Sequence, residues 1–256
     1  MTDDDTDKEN PSVDKVSRDA DKWAHLTPSL ELGDVPPEAR NINVTGRRQI
    51  SPLQGFGKMW QKTYVASLAG VQTSPQEVIA TWKERFPAFW PEGNRFYGPL
   101  TGIAPGDVAL LNLSMPGKLT LSTGVLVLYA DEESFTFMTP EGHMFAAFIT
   151  FSAFVDEGGH TAVKAHVLLR ANDPIFELAL TLGGHRKEDE FWSQTLSALA
   201  SHFGVANPHV ATEKLCVDER RQWRKAGNLR YNSALRSAAY MIGTPLRTLS
   251  RSGPRS

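Results

Sequence analysis

A single cysteine in 256 residues, Cys216, excludes an intrachain disulfide framework. Its neighbours Lys214, Leu215 and Val217 supply no histidine or basic cap to lower its pKa, so it reads as a buried structural thiol. Cys and His never cluster at zinc-ligand spacing. Gly55-Phe-Gly57-Lys58 lacks both the glycine spacing of a phosphate loop and the Ser or Thr that follows its lysine. The nucleophile elbow Gly-x-Ser-x-Gly, the His-Glu-x-x-His pair and the dinucleotide glycine fingerprint are also missing. No apolar run approaches the ~18 residues of a membrane span, and the start carries acids where a signal peptide needs a basic end. These absences set the first expectation: a soluble, cytoplasmic protein without metal or cofactor, held together by a packed apolar core.

What is present begins with charge. The net charge of −2 hides two unlike ends: residues 1–40 hold 11 acids and 5 bases, residues 218–256 hold 2 acids and 9 bases. The middle is nearly neutral and does not look like a nucleic-acid platform. The head, residues 1–40, reads as an acidic and largely disordered segment, because its first 22 residues offer only Val13 and Val16 as large apolar side chains after Met1. Contact between acidic head and basic tail stands as an alternative to two solvated ends.

Residues 60–69 are β-branched and aromatic and read as a strand ending at Gly70. Ser74-Pro75-Gln76-Glu77 has the cap, the first-turn proline and the returning Glu of a capping box, so a short helix should start there and end near Pro87. Residues 88–106 read as a Gly/Pro-rich loop carrying Phe89, Trp90, Phe96 and Tyr97. Strands are then expected at 108–115, 119–129, 134–139, 144–155 and 161–170. The turns between them are too short for parallel crossovers, which predicts an antiparallel meander. Asp173-Pro174 opens a long helix that Gly204 stops, with Gly183-Gly184 marking a bend or a division. A strand-like piece at 210–217 and a basic, Ala-rich helical segment at 220–242 complete the chain.

The expected fold class is α+β: a curved antiparallel sheet wrapped around a long C-terminal helix, with an extra basic helical tail. In this element order, with the capped short helix after the first strand and the closing helix before Gly204, residues 58–204 resemble the START/Bet v 1-like superfamily, also called helix-grip, SRPBCC or polyketide cyclase-like proteins. Residues 205–256, a strand-like segment and the tail, fall outside that unit. The resemblance implies an internal apolar cavity for a lipid, steroid or polyketide-like ligand, in a family that ranges from carriers to cyclases.

Candidate ligand-binding residues follow. On the long helix, Ile175, Leu178, Leu182, His185, Asp189, Trp192, Leu196, Leu199 and Phe203 form one stripe. Within it His185 and Asp189 lie one turn apart, where the carboxylate would fix the imidazole and raise its pKa. The competing reading makes residues 185–190 a solvated helix start. Trp82, Trp90, Phe96 and Tyr97 are placed at the cavity mouth, with Arg95 to meet an anionic head group, against the plainer reading of ordinary core. His143 reads as exposed at a strand end. His160, Lys164, His166 and Arg170 read as the outer face of their strand, not a metal site. The leading expectation is a non-catalytic binder or carrier of a small hydrophobic ligand. One alternative is a cyclase/dehydratase-type enzyme using His185 and Asp189 on a polyketide-like substrate, and another is an interaction protein using its charged ends. The basic tail is expected to dock on the domain, with weak contact to a membrane surface through Trp223 as the alternative. Oligomeric state is left open.

Overall fold

Ser74 begins the first helix as its sequence requires. The computed structural model describes residues 19–251 apart from 26, 34, 37, 99–101, 116 and 118, and beyond residue 242 the backbone alone. The expectations for the first 18 residues, their disorder and a contact with the tail, lie outside the described residues. In helix α1 (Pro75–Arg85) the Ser74 side chain accepts from the Glu77 amide while Glu77 reaches back to the Ser74 amide. Val78, Ile79 and Trp82 form its buried side. A 3-10 turn at Phe86–Phe89 takes over where Pro87 cannot continue an α-helix.

The strands are β1 (Gln49–Ile50), β2 (Met59–Ser67), β3 (Arg95–Tyr97), β4 (Val108–Met115), β5 (Leu119–Ala130), β6 (Ser134–Pro140), β7 (Phe145–Val155), β8 (Thr161–Ala171) and β9 (Val210–Asp218). They form one curved antiparallel sheet in the order β3-β4-β5-β6-β7-β8-β2-β9, with β1 paired to β6. The meander from β4 to β8 stands as its short turns require. β2, first of the long strands in sequence, closes against β8, last of that meander, and β9 then pairs with β2 from Val210 to Asp218. The expected 88–106 loop contains β3, a strand of three residues, too short for alternation to declare itself in sequence.

The sheet is covered on both faces. Its concave face carries Tyr64, Ala66, Val125, Phe135, Phe137, Phe151, Val163 and Leu169 against α1 and the later helices. Its convex face carries Val108, Leu110 and Leu126 under Leu30 and Val44. Part of the head is therefore ordered onto the sheet: Trp23 forms a bridge with Tyr129, and Leu30 is buried.

The predicted long helix divides. Helix α2 (Pro174–Ala179), capped by Asp173, runs into a π-type turn (Leu180–Gly184), and helix α3 (His185–His202) starts afresh. Gly183 has φ of 113°, a region closed to most other residues, and this rotates the face that follows. The anticipated continuous stripe therefore fails in its first half. Ile175, Leu178 and Leu182 are exposed and Phe176 and Leu180 point inward, whereas Trp192, Leu196 and Leu199 lie buried as expected. The tail also divides, into a 3-10 segment (Trp223–Tyr231) and helix α4 (Ser233–Arg251), because Asn232 caps a new start by accepting from the Leu235 amide. Helix α4 docks on the convex side of β5, where Ser237 Oγ accepts from the Ser122 amide at 3.1 Å and Arg236 donates to Asn43 at 2.9 Å. Among the described residues no helix is long and apolar enough to cross a membrane.

Candidate functional site

Alternation along β2 turns Trp60, Lys62, Tyr64 and Ala66 to the concave face, and the 3.6 period of α3 turns His185, Glu188, Asp189 and Trp192 to meet them. A lysine is thereby placed in the interior. Lys62 is 0% exposed, and its ammonium donates to Glu188 Oε2 at 2.8 Å, Asp189 Oδ1 at 2.9 Å and the His185 carbonyl at 3.4 Å. All three of its donors are used, so it is a fixed cation and not a nucleophile in waiting. Asp189 Oδ1 also accepts from the Tyr64 hydroxyl at 2.7 Å, and Asp189 Oδ2 accepts from Lys214 at 2.8 Å. Lys62 and Lys214 face each other across β2 and β9. Two like charges side by side are destabilising; Asp189 bridges them, and Glu188 adds a second carboxyl to the set.

The environment separates the two carboxylates. Burial drives the Glu188 carboxyl up to about 7 against the opposing pull of Lys62. Burial acts on Asp189 in the same sense, but hydrogen bonds from Lys214, Lys62 and Tyr64 outweigh it and hold that carboxyl below its usual range. Tyr64 is pushed far up by burial and the two adjacent anions, and stays a hydroxyl donor. The imidazole of His185 packs against the Trp60 ring at 4.9 Å. Burial, with Lys62 beside it, lowers its pKa to about 4. The expected His185–Asp189 hydrogen bond does not form, because Asp189 is taken by Lys62, Tyr64 and Lys214, and burial reverses the expected rise in the imidazole pKa although the Asp189 charge still pulls it upward. Residues 185–190 are not simply a solvated start either, since Glu188 is buried.

The remaining candidates separate by strand and helix phase. Trp82 is in the core, edge-on to Phe135 and Phe151 with centroids 5.8 and 5.1 Å away. Trp90 is half-buried against Phe96 and Phe191, and Trp192 joins Phe191 and Phe151. These three tryptophans thus share one aromatic cluster with Phe86, Phe135 and Phe137, whose neighbouring centroids lie 5.3–5.6 Å apart. That cluster occupies the space where the resemblance places a hollow. Arg95 and Tyr97 are not with them: alternation in β3 sends Phe96 to the concave face and Tyr97 to the convex cluster, with Arg95 exposed. His143 is buried, not exposed, with Nδ1 accepting from the Phe145 amide at 3.0 Å. Val163, Ala165, Val167 and Leu169 do face the core, and Arg170 on the other face is buried too, under the Gly57 and Arg220 carbonyls that it holds.

Lys62, Tyr64, Glu188 and Lys214 were outside the sequence candidates. The available signal was phase: Lys62 keeps the period of Trp60, Tyr64 and Ala66.

No family model matches the chain, and no curated protein matches it in sequence. Solved structures are similar to it in fold. A protein of Mycobacterium smegmatis is similar at 11% identity over 69% of this chain and 99% of its own, with a TM-score of 0.42. The di-domain ARO/CYC StfQ of the steffimycin biosynthetic pathway is similar at 9% identity over 56% of this chain and 50% of its own, with a TM-score of 0.44. The major latex-like protein 151 of Panax ginseng is similar at 10% identity over 57% of this chain and 99% of its own, with a TM-score of 0.38.

Proposed function

We propose that the protein binds a small, largely apolar molecule with a few polar groups between the concave face of the sheet and α3. One observation carries this reading: Trp82 Nε1, Trp90 Nε1, His185 Nδ1 and Glu188 Oε1 are all buried without a hydrogen-bond partner. An unpaired buried polar atom costs about 1–3 kcal/mol, and four on one side of a sheet call for an occupant that pairs with them. The indole groups would meet acceptors such as carbonyl oxygens, and Glu188 would meet a donor. Aromatic rings such as Trp90 and Phe191 pack on this face, so uptake has to move side chains. The Lys62–Glu188–Asp189–Tyr64 network holds α3 on β2 while they move. Native mass spectrometry of the purified chain, followed by denaturation, is expected to release such a molecule. If no bound mass appears, and sterols, fatty acids and aromatic polyketides leave the melting temperature unchanged, the reading fails.

A second reading, a cyclase/dehydratase-type enzyme acting on a polyketide-like substrate, is favoured by Glu188 alone. A carboxyl held near 7 can give and take a proton at neutral pH. The imidazole of His185, held neutral, does not suit the acid role. Glu188→Gln would then abolish the limb of the pH–rate profile near 7 while sparing KM, and a profile unchanged in the variant would remove the reading.

A further inference from the structure

The corner where the 3-10 tail segment crosses α2 is apolar, basic and fixed in place. Trp223 is 74% exposed, although its ring is anchored edge-on to Phe56 at 5.3 Å. The backbone around it is pinned: the Gln222 amide donates to the Phe56 carbonyl at 2.7 Å, the Gln222 side chain to the Leu53 carbonyl, and Arg221 to Glu177 of α2 at 2.9 Å. Leu53 is exposed beside it, and α2 packs on the tail segment while leaving Ile175 and Leu178 exposed, with Leu182 exposed on the turn that follows. A rigid segment that turns a tryptophan and several aliphatic side chains to water has an unsatisfied apolar face.

Charge indicates what covers that face. Between Asp218 and Tyr231 stand five bases, Arg220, Arg221, Arg224, Lys225 and Arg230, against two acids. Of those acids Asp218 is engaged by Arg170 and Arg220, whereas Glu219 is exposed; outside the stretch, Glu177 of α2 is engaged by Arg221. Arg224 and Lys225 have no ion-pair partner among the described residues. A cleft of about 420 Å³ lined by Leu53, Arg170, Asp218, Arg220, Arg221 and Gln222 opens at the same place. An exposed indole between aliphatic side chains and guanidinium groups matches the layers of a bilayer surface, where the ring sits at headgroup depth and the bases meet anionic lipid. We propose that this corner docks on an anionic lipid bilayer, with Trp223 and the exposed Ile175 and Leu178 of α2 at the interface and Arg224 and Lys225 against the headgroups. The surface lies outside the concave interior, so the inference is independent of the ligand reading.

The test is co-sedimentation of the full chain with phosphatidylcholine vesicles, with and without added phosphatidylserine. Binding is expected with phosphatidylserine and should weaken as salt rises, since exposed charges are screened. Arg224→Gln and Lys225→Gln each lower the partition coefficient about fivefold, and Trp223→Ala lowers it about tenfold. Arg224 is exposed and Lys225 partly so, and both glutamine variants should keep the wild-type melting temperature; Trp223→Ala also loses the ring contact with Phe56, so Leu178→Ser, at an exposed position, provides a second apolar probe. Failure to sediment with the anionic vesicles, or sedimentation that none of these substitutions weakens, overturns the proposal.

Discussion

The concave face of the sheet is closed in two ways within a few residues of one another. Around Phe86, Phe135, Phe137 and Phe151 it is closed by rings, and around Lys62 by charge. The first region gains free energy from removing apolar surface from water, is indifferent to pH and tolerates movement of one ring against another. The second gains little on balance, because desolvating Lys62 and Glu188 offsets most of their attraction, but it admits only one arrangement of donors and acceptors. The aromatic region supplies stability. The charged seam sets where α3 sits along β2, and hence where His185 and Trp192 point.

Three substitutions separate these roles. The largest effect is expected for Phe135→Ala, which removes a fully buried ring touching Trp82, Phe86, Phe137 and Phe151 and should cost about 4 kcal/mol in denaturant unfolding. Next is Lys62→Met, which leaves Glu188 and part of Asp189 uncompensated and should cost about 3 kcal/mol. Adding Glu188→Leu to that variant should recover part of the loss, whereas no second apolar substitution rescues Phe135→Ala. A double variant less stable than Lys62→Met would erase the distinction between the two regions.

The smallest effect concerns pH and a third place. His143 is buried and neutral, and burial lowers its pKa to about 4 from 6.5. The unfolded chain therefore binds the proton first, and stability falls as pH drops through the window between those values. Between pH 6.5 and 5 this amounts to about 1.5 kcal/mol. His185 acts in the same sense, and Glu188, with its raised pKa, in the opposite one. The difference between wild type and His143→Gln isolates the one site, and parallel melting curves across that pH range would show that His143 contributes nothing.

Much of the fold is legible along the chain because its causes are local. Ser74 and Glu77 cap a helix from three residues apart, and Pro140-Glu141-Gly142 can only turn. The break in the long helix is half legible: two glycines announce a departure from the helix, but only the positive φ at Gly183 shows which residues it turns outward. The charged seam is not legible in that way. Lys62 and Glu188 stand 126 positions apart and meet because β2 lies next to the last strand of the meander, a closure that no local pattern specifies. A lysine at an inward phase was the one trace, and an alternating strand with a single charge reads as ordinary. Arg95 and Tyr97 were misplaced for the converse reason. Three residues of β3 carry too little pattern to show that neighbours in sequence face opposite sides of a sheet.

The strand β9 has a consequence for where the chain can be cut. It supplies the second neighbour of β2, and it brings the ammonium of Lys214 to Asp189; α4 behind it shields Ser122 on the other side of the sheet. Truncation behind Gly204 would turn β2 into a raw edge and strip Asp189 of one of its two ammonium partners. β9 and the start of α4 thus close the two sides of the sheet that the chain before Gly204 leaves open.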